Sequence, residues 1–349
     1  MRVVVTGGAG FIGSHYVRTL LSGGYPAFAG ADLVVLDLLT YAGTLTNLTS
    51  VRDDPRLTLV EGDICDAALV DDVLTGADLL VHFAAESHVD RSILSGADFV
   101  RTNVLGTQTL LAAALEAKVG RFVHVSTDEV YGSLPWVDPA DPDPNRGFFT
   151  EESPLAPRSP YAASKAGSDM LALAYHHTHG LDVVVTRCSN NYGPFQFPEK
   201  LIPLMATNAL EGARLPVYGD GLHVRDWIHV EDHCEGVIAA MDRGSAGEVY
   251  NFGGNAERTN LQVVHGVIQA VGCSPDLIRR VEDRPGHDRR YAVDAGKAAE
   301  ALEWTPRMDF EEGLVQTVDW YRENEAWWQR VKSGEYRKYY RRRYGTKDD

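Results

Sequence analysis

The first half of the chain repeats one unit of apolar and polar patterning. A short β-branched run is followed by a stretch with helical spacing at Val3–Thr6, Val34–Asp37, Leu57–Glu61, Leu79–Phe83, Phe122–Ser126 and Val183–Arg187. These runs are mostly apolar at consecutive positions rather than only at every second one. Strands of that kind are buried on both faces, as in a parallel sheet covered by helices on either side. The pattern predicts a doubly wound α/β protein with six parallel strands and ligands at their carboxyl ends. From Asn190 onward the repeat loosens into loops, short strands and helices, which predicts a smaller lobe closing over those ends. The segment Leu134–Pro157 breaks the pattern. Pro135, Asp138, Pro139, Asp141, Pro142, Asp143 and Pro144 cannot sustain a regular element, so an exposed insertion is expected.

Composition narrows the partner. The chain has 349 residues, 44% hydrophobic and 23% charged, enough for a sizeable core. No apolar run approaches the ~20 residues of a membrane helix. The 33 Lys and Arg against 49 Asp and Glu leave a formal charge of −16. Such a surface repels nucleic acid and anionic membrane, which leaves a small-molecule substrate. Arg2 leads straight into Val3, Val4 and Val5 without a secretory leader, and Cys65, Cys188, Cys234 and Cys273 are too scattered for a disulfide framework. Both features fit a reducing cytoplasm. The tail from Arg330 is basic, with Tyr336, Tyr339, Tyr340 and Tyr344 interleaved. Against the acidity elsewhere it reads as a solvated end or a packed helix rather than a nucleic-acid arm.

Gly7, Gly10 and Gly13 follow the first strand and open a helix, with Phe11 and Ile12 between the last two. Glycines at that spacing allow a tight turn and bring a helix amino terminus onto a pyrophosphate, whose charge the free N–H groups stabilise. Asp37 ends the second strand, where its carboxylate would bond the adenine ribose hydroxyls. It would also repel a 2′-phosphate, and Leu38 and Leu39 offer no arginine to accept one, so NAD is favoured over NADP. Asp63 and Ile64, after the third strand, could reach the adenine. Phe83, Ala84 and Ala85, after the fourth, offer room for the dinucleotide backbone. Each of these last positions reads equally well as a cap or a packing residue.

The catalytic candidates lie further on. Tyr161 and Lys165 stand one turn apart on a predicted helix with Ser159 as N-cap and Pro160 at its first position. An ammonium beside the phenol would lower its pKa and make Tyr161 a base for a sugar hydroxyl, with Thr127 sharing that hydrogen bond. Asp128 and Glu129 follow Thr127 directly. A plain dehydrogenase needs only Thr, Tyr and Lys. Two adjacent carboxylates with pKa values pushed apart supply one general acid and one general base, as removal of water from adjacent carbons requires. His176, His177 and His179 close the same helix before Gly180, where imidazole suits the negative dipole end, so no metal site is assigned to them.

These segments resemble the extended short-chain dehydrogenase/reductases, and within them the dTDP-glucose 4,6-dehydratases. The likeness rests on Thr-Gly-Gly-Ala-Gly-Phe-Ile-Gly from Thr6, His-Phe-Ala-Ala-Glu-Ser-His-Val-Asp-Arg-Ser from His82 and Ser-Thr-Asp-Glu-Val-Tyr-Gly from Ser126. It continues through Ser-Pro-Tyr-Ala-Ala-Ser-Lys from Ser159, Asn-Asn-Tyr-Gly-Pro from Asn190 and Pro-Glu-Lys-Leu-Ile-Pro from Pro198. The resemblance implies a Rossmann-type domain over residues 1–189 and about 226–258. A nucleotide-sugar lobe would occupy about 190–225 and 259–349.

By the same resemblance one tightly held NAD serves oxidation at carbon 4, elimination of water across carbons 5 and 6, and reduction at carbon 6. Tyr161, Lys165 and Thr127 would act at carbon 4, Glu129 as base at carbon 5 and Asp128 as acid at the carbon 6 hydroxyl. Ser87 and Asn190 would contact hexose and diphosphate. Lys200, Leu201, Pro216 and Tyr218 would hold base and ribose, with Arg225, Asn260, Arg284, His287 and Tyr291 around the diphosphate and sugar. The product would feed deoxysugar or rhamnose biosynthesis. A homodimer paired through Gly96–Lys118 and Pro160–His179 is also implied. Two alternatives stay open: a nucleotide-sugar 4-epimerase, which needs no acid and base pair beside Thr127, and an NAD-binding regulator without catalysis.

Overall fold

The structure, a computed structural model, describes residues 1–140 and 147–332. Residues 333–349 of the basic tail, with its four tyrosines, and Asp141, Pro142, Asp143 and Pro144 of the insertion lie outside the described residues. Strands β1 (Arg2–Thr6), β2 (Asp32–Asp37), β3 (Leu57–Glu61), β4 (Leu79–His82), β5 (Arg121–Thr127) and β6 (Val183–Cys188) match the six apolar runs to within two residues at each end. Four short strands follow: β7 (Asn190–Tyr192), β8 (Leu215–Tyr218), β9 (Val224–Arg225) and β10 (Trp227–His229). The next strand, β11 (Val249–Phe252), joins the main sheet beside β6 as a seventh member that the sequence pattern did not predict. Four residues at a sheet edge carry too little patterning to stand out. The last two strands are β12 (Arg258–Thr259) and β13 (Ile278–Val281).

The main sheet runs β3-β2-β1-β4-β5-β6-β11 and is parallel throughout. Its unbroken apolar runs have a direct cause. Val3 and Val5 of β1 enter one core with Leu33 and Val35 of β2, whereas Val4, Val34 and Leu36 enter the core on the opposite face. Successive side chains point to opposite faces, so both sets must be apolar.

Helix α1 (Phe11–Leu21) covers the first face. The opposite face is covered by α2 (Ala67–Leu74), by α5 (Thr107–Glu116) and by α6 (Pro160–His179); α5 ends a helical run that begins with α3 (Val89–Leu94), α4 (Gly96–Phe99) and a π-helical stretch Val100–Gly106, and α3 and α4 meet Tyr161 of α6. The expected single helix over Gly96–Lys118 is thus divided by a π-helical stretch. Helix α6 begins and ends where its sequence demands. The Ser159 hydroxyl accepts from the Ala162 N–H at 3.1 Å, Pro160 takes the first position, and Gly180 closes the helix at φ 72°. A serine cap of this kind contributes about 1 kcal/mol.

The second lobe has its own core, built from α7 (Leu201–Leu210), β8, α9 (Asn260–Val271), α11 (Phe310–Glu323) and α12 (Glu325–Val331). Two helices in this half pack on the main sheet instead. Helix α8 (Val230–Arg243) joins α1 on the first face, and α10 (Gly296–Leu302) packs on α8 and β11. The insertion is anchored at both ends. Leu134 N–H donates to the Arg290 carbonyl, Phe149 N–H donates to the Ala292 carbonyl, and the Phe149 ring stacks on Tyr131.

A buried charge network holds α6 to the sheet. Arg187 of β6 donates to Asp169 of α6 at 2.8 Å and to the Tyr131 hydroxyl at 2.9 Å, and Tyr131 donates to Asn251 of β11 at 2.8 Å. Removing one partner of such a pair costs about 3–5 kcal/mol, because the other charge stays buried and alone. The network fixes the segment after Thr127 against the helix that carries Tyr161 and Lys165.

Candidate active site

Strand order reverses between β1 and β4, and a cleft of about 290 Å³ opens there at the strands' carboxyl ends. Its dinucleotide side is lined by Gly7, Gly10, Phe11, Ile12, Gly13 and Asp37, with Asp63, Ile64, Phe83, Ala84 and Ala85. Its other side is lined by Ser87, Thr127, Asp128, Glu129, Tyr161 and Lys165, with Asn190 and Lys200 from the second lobe. Residues up to 193 positions apart in the chain therefore meet in one cleft.

The dinucleotide end fits its expected ligand on three observations. Gly7 has φ +70°, and a Cβ there would lie 2.6 Å from the Ala84 nitrogen; a Cβ on Gly13 would lie 2.2 Å from the Gly7 carbonyl oxygen. Helix α1 starts without a side-chain cap or an acid in its first turn, which leaves its N–H groups and positive dipole end for an anion. Asp37 accepts from Ala9 N–H at 2.9 Å and Leu39 N–H at 2.8 Å, which holds its carboxylate at the cleft wall. Gly13→Ala should therefore push the Gly7 turn out of place. Overpacking of about 1–3 kcal/mol and at least a tenfold loss of dinucleotide affinity are expected, checked by thermal unfolding and titration calorimetry.

The reaction end contains two carboxyl groups in unlike surroundings. Asp128 is 1% exposed, and burial, then the charges of Glu129 and Asp226, hold its pKa well above the ordinary carboxylate range. Its Oδ1 accepts from the Thr127 hydroxyl at 3.2 Å, while Oδ2 is buried without a partner among the described residues. Glu129 is also raised, by burial first, but Arg284, Lys200 and Arg225 pull it back down. One group is thus kept protonated more firmly than its neighbour, the environment an acid and base pair requires.

Tyr161 departs from the sequence expectation. Its phenol is held well above its ordinary pKa, by burial first and by the charge of Glu129 next, and the Thr127 hydrogen bond opposes only part of this. Lys165 was expected to lower it. Instead the ammonium donates to the Val125 carbonyl at 2.8 Å, and burial lowers its own pKa to about 8, opposed by Asp169. A dry site penalises phenolate more than one lysine turned toward a carbonyl can offset.

The remaining candidates divide into two groups. The Lys200 ammonium donates to the Ser87 carbonyl at 2.6 Å. Arg225 donates to the Val224 and Asp288 carbonyls and lies 4.3 Å from the centre of the Tyr291 ring, and the Tyr291 hydroxyl donates to Asp288 at 2.5 Å. Arg284 and the Tyr218 hydroxyl both bond to Asp90. His287 stacks on His223 at 3.7 Å and bonds Asp283 at 2.6 Å; its pKa is pushed down by burial and then by Arg284 and Arg225, so it is neutral. None of Tyr218, Arg225, Arg284, His287 and Tyr291 is on the cleft wall, although Arg225 and Arg284 lie close enough to Glu129 to lower its pKa, and Leu201, Pro216 and Asn260 are not on it either. Leu201 opens α7 against the lobe core, Pro216 of β8 pairs with Arg279 of β13, and the Asn260 N–H donates to the His223 carbonyl. The histidines at the end of α6 act locally, with His176 Nδ1 2.9 Å from the Leu181 carbonyl oxygen.

Sequence reasoning missed Asp90, Asp288 and Cys188. Cys188 lines the cleft at the end of β6, its thiol pushed up to about 12 by burial. Asp90 lies inside a quoted motif, yet nothing in that motif shows which side chains it meets.

A family model for GDP-mannose 4,6 dehydratase matches residues 4–317. The dTDP-glucose 4,6-dehydratase of Streptomyces niveus is 55% identical over 95% of this chain and 96% of its own length. The crystal structure of the dTDP-glucose 4,6-dehydratase from Streptomyces venezuelae, solved with NAD bound, superposes with a TM-score of 0.91 at 55% identity. It covers 95% of this chain and 100% of the other. The UDP-glucose 4-epimerase of Thermotoga maritima is more distant, with a TM-score of 0.83 at 29% identity over 93% of this chain and 100% of its own. Fold, cleft and likeness over nearly the whole length agree: the chain belongs to the dTDP-glucose 4,6-dehydratase family.

Proposed function

We propose that the chain converts dTDP-glucose to dTDP-4-keto-6-deoxyglucose with NAD as a tightly held cofactor. The observation that carries this reading is the Asp128–Glu129 pair beside Thr127 and Tyr161, with Asp128 held protonated and Glu129 faced by three cations. NAD bound in this cleft would supply reversible oxidation, taking hydride from carbon 4 and returning it at carbon 6. Tyr161 takes the proton of the carbon 4 hydroxyl, and Thr127 orients that hydroxyl. The ketone then acidifies the hydrogen at carbon 5, which Glu129 removes while Asp128 protonates the hydroxyl leaving carbon 6; as hydride returns to carbon 6, Glu129 gives a proton back to carbon 5. Lys200, Arg225 and Arg284 offset the substrate's diphosphate charge within an otherwise acidic protein.

Incubating the protein with dTDP-glucose and NAD tests the reading. A 4-keto-6-deoxy product is expected; the galactose nucleotide instead would favour the 4-epimerase. The family neighbour solved with NAD supports the cofactor assignment, as does Asp37. The 2′-phosphorylated dinucleotide should bind at least tenfold more weakly than NAD, because its phosphate would meet that carboxylate.

Residues 1–189 and about 226–258 form the dinucleotide half, and about 190–225 and 259–349 the nucleotide-sugar half. The packing of α10 on β11 makes the division interleaved rather than clean. No helix among the described residues is long and apolar enough to cross a membrane. The proposed setting is the cytoplasm, and the proposed assembly is a homodimer. Leu94, Val100 and Leu105 on the helical run, and Met170 on α6, expose 50–65% of their surface, which supports pairing through these helices. Leu105→Glu should shift the sedimenting species toward monomer; an unchanged mass would count against this face.

A further inference from the structure

Asp90 sits at the start of α3 on the dinucleotide side, only 7% exposed, and reaches across to the second lobe with both carboxylate oxygens. Its Oδ1 accepts from Arg284 Nη1 at 2.8 Å, and its Oδ2 accepts from the Tyr218 hydroxyl at 2.7 Å. A buried carboxylate is tolerated when such partners replace its water. The partners are the two second-lobe side chains that the family resemblance assigns to the diphosphate and the nucleoside, and Arg284 lies close enough to Glu129 of the cleft to lower its pKa. Arg284 keeps donors in reserve: its Nε is buried without a partner among the described residues. We propose that Asp90 is a positioning residue for substrate binding, which holds the Arg284 guanidinium and the Tyr218 phenol in place for a nucleoside diphosphate. This rests on the reading of a nucleotide-sugar substrate given above.

Two effects oppose each other when Asp90 is removed. A diphosphate would gain from the loss of a nearby anion. Against that, Arg284 would have to be ordered at the moment of binding, and fixing a long side chain costs as much or more. Preorganisation wins here because one carboxylate orders two groups at once, each through a short hydrogen bond.

The test compares Asp90→Ala and Asp90→Asn in the full chain with NAD present. For Asp90→Ala, the KM for dTDP-glucose and the dissociation constant of dTDP by calorimetry should both rise about tenfold, with kcat within about twofold. Asp90→Asn keeps an oxygen for Arg284 and a polar group beside Tyr218, so it should recover at least half of that loss on a logarithmic scale. A residue that served only the fold would lower the active fraction without this split and without rescue. Parental KM and dTDP affinity in a folded Asp90→Ala protein would overturn the proposal, and so would a loss confined to kcat. If Asp90→Ala does not fold, Asp90→Asn decides alone: a rise of about threefold in both constants supports the role, and no rise rejects it. Calorimetry with dTDP separates the two readings. A wild-type protein that binds dTDP but makes no keto sugar would sink the proposed reaction while leaving Asp90 testable.

Discussion

Glu129→Gln is expected to stop the reaction between oxidation and elimination, with overall turnover down by about 10²–10⁴. The amide has nearly the shape of the carboxyl group, so binding should survive and only the proton transfer should be lost. The oxidised sugar should still form, and quenched reactions should contain the 4-keto hexose without its 6-deoxy partner. In deuterium oxide, label should enter carbon 5 with the parent and not with the variant. The parent's rate should also rise with pH along a limb set above the ordinary glutamate range, because burial raises the Glu129 pKa and base action needs the ionised form. Below that limb Glu129 is protonated and elimination fails. The variant should lack the limb altogether. Parental turnover by Glu129→Gln would assign the base to another group, with Asp128 the nearest candidate.

The dinucleotide half was legible because its signals are local. A strand, three spaced glycines and a capped helix follow one another within a few turns of chain, and alternating burial of Val3, Val4 and Val5 explains why the runs lack periodicity. Helix α6 was legible for the same reason, since Ser159, Pro160 and Gly180 act on their own neighbours. What escaped depends on distance in the chain. Asp90 meets Tyr218 and Arg284 across 128 and 194 residues, and no pattern near Asp90 encodes those partners. The cations expected at the phenol and at the nucleoside are also tied to backbone carbonyls, Lys165 to Val125 and Lys200 to Ser87. A residue's charge can be read from its type; where that charge points cannot.

That difference bears most on Tyr161. Spacing on the helix suggested a phenol made acidic by Lys165, but burial and Glu129 hold it in the neutral form. Only phenolate can accept the carbon 4 proton, so the neutral phenol must ionise under nearby positive charge as the reaction begins, and Tyr161 and Lys165 must work as a unit. Tyr161→Phe removes the acceptor outright and should lower turnover by about 10²–10⁴, with dTDP affinity within about twofold because the ring remains packed against Phe99. Unlike Glu129→Gln, it should yield no 4-keto sugar of any kind and no label at carbon 5, since the ketone that acidifies that hydrogen never forms. Lys165→Met should lose less, because Thr127 still bonds the phenol, and its residual rate should climb with pH as hydroxide assists the ionisation that the ammonium no longer favours. Rapid formation of the 4-keto hexose by Tyr161→Phe would place the first proton transfer elsewhere. The order of the two blocked steps, carbon 4 before carbon 5, makes the double variant Tyr161→Phe with Glu129→Gln indistinguishable from Tyr161→Phe alone.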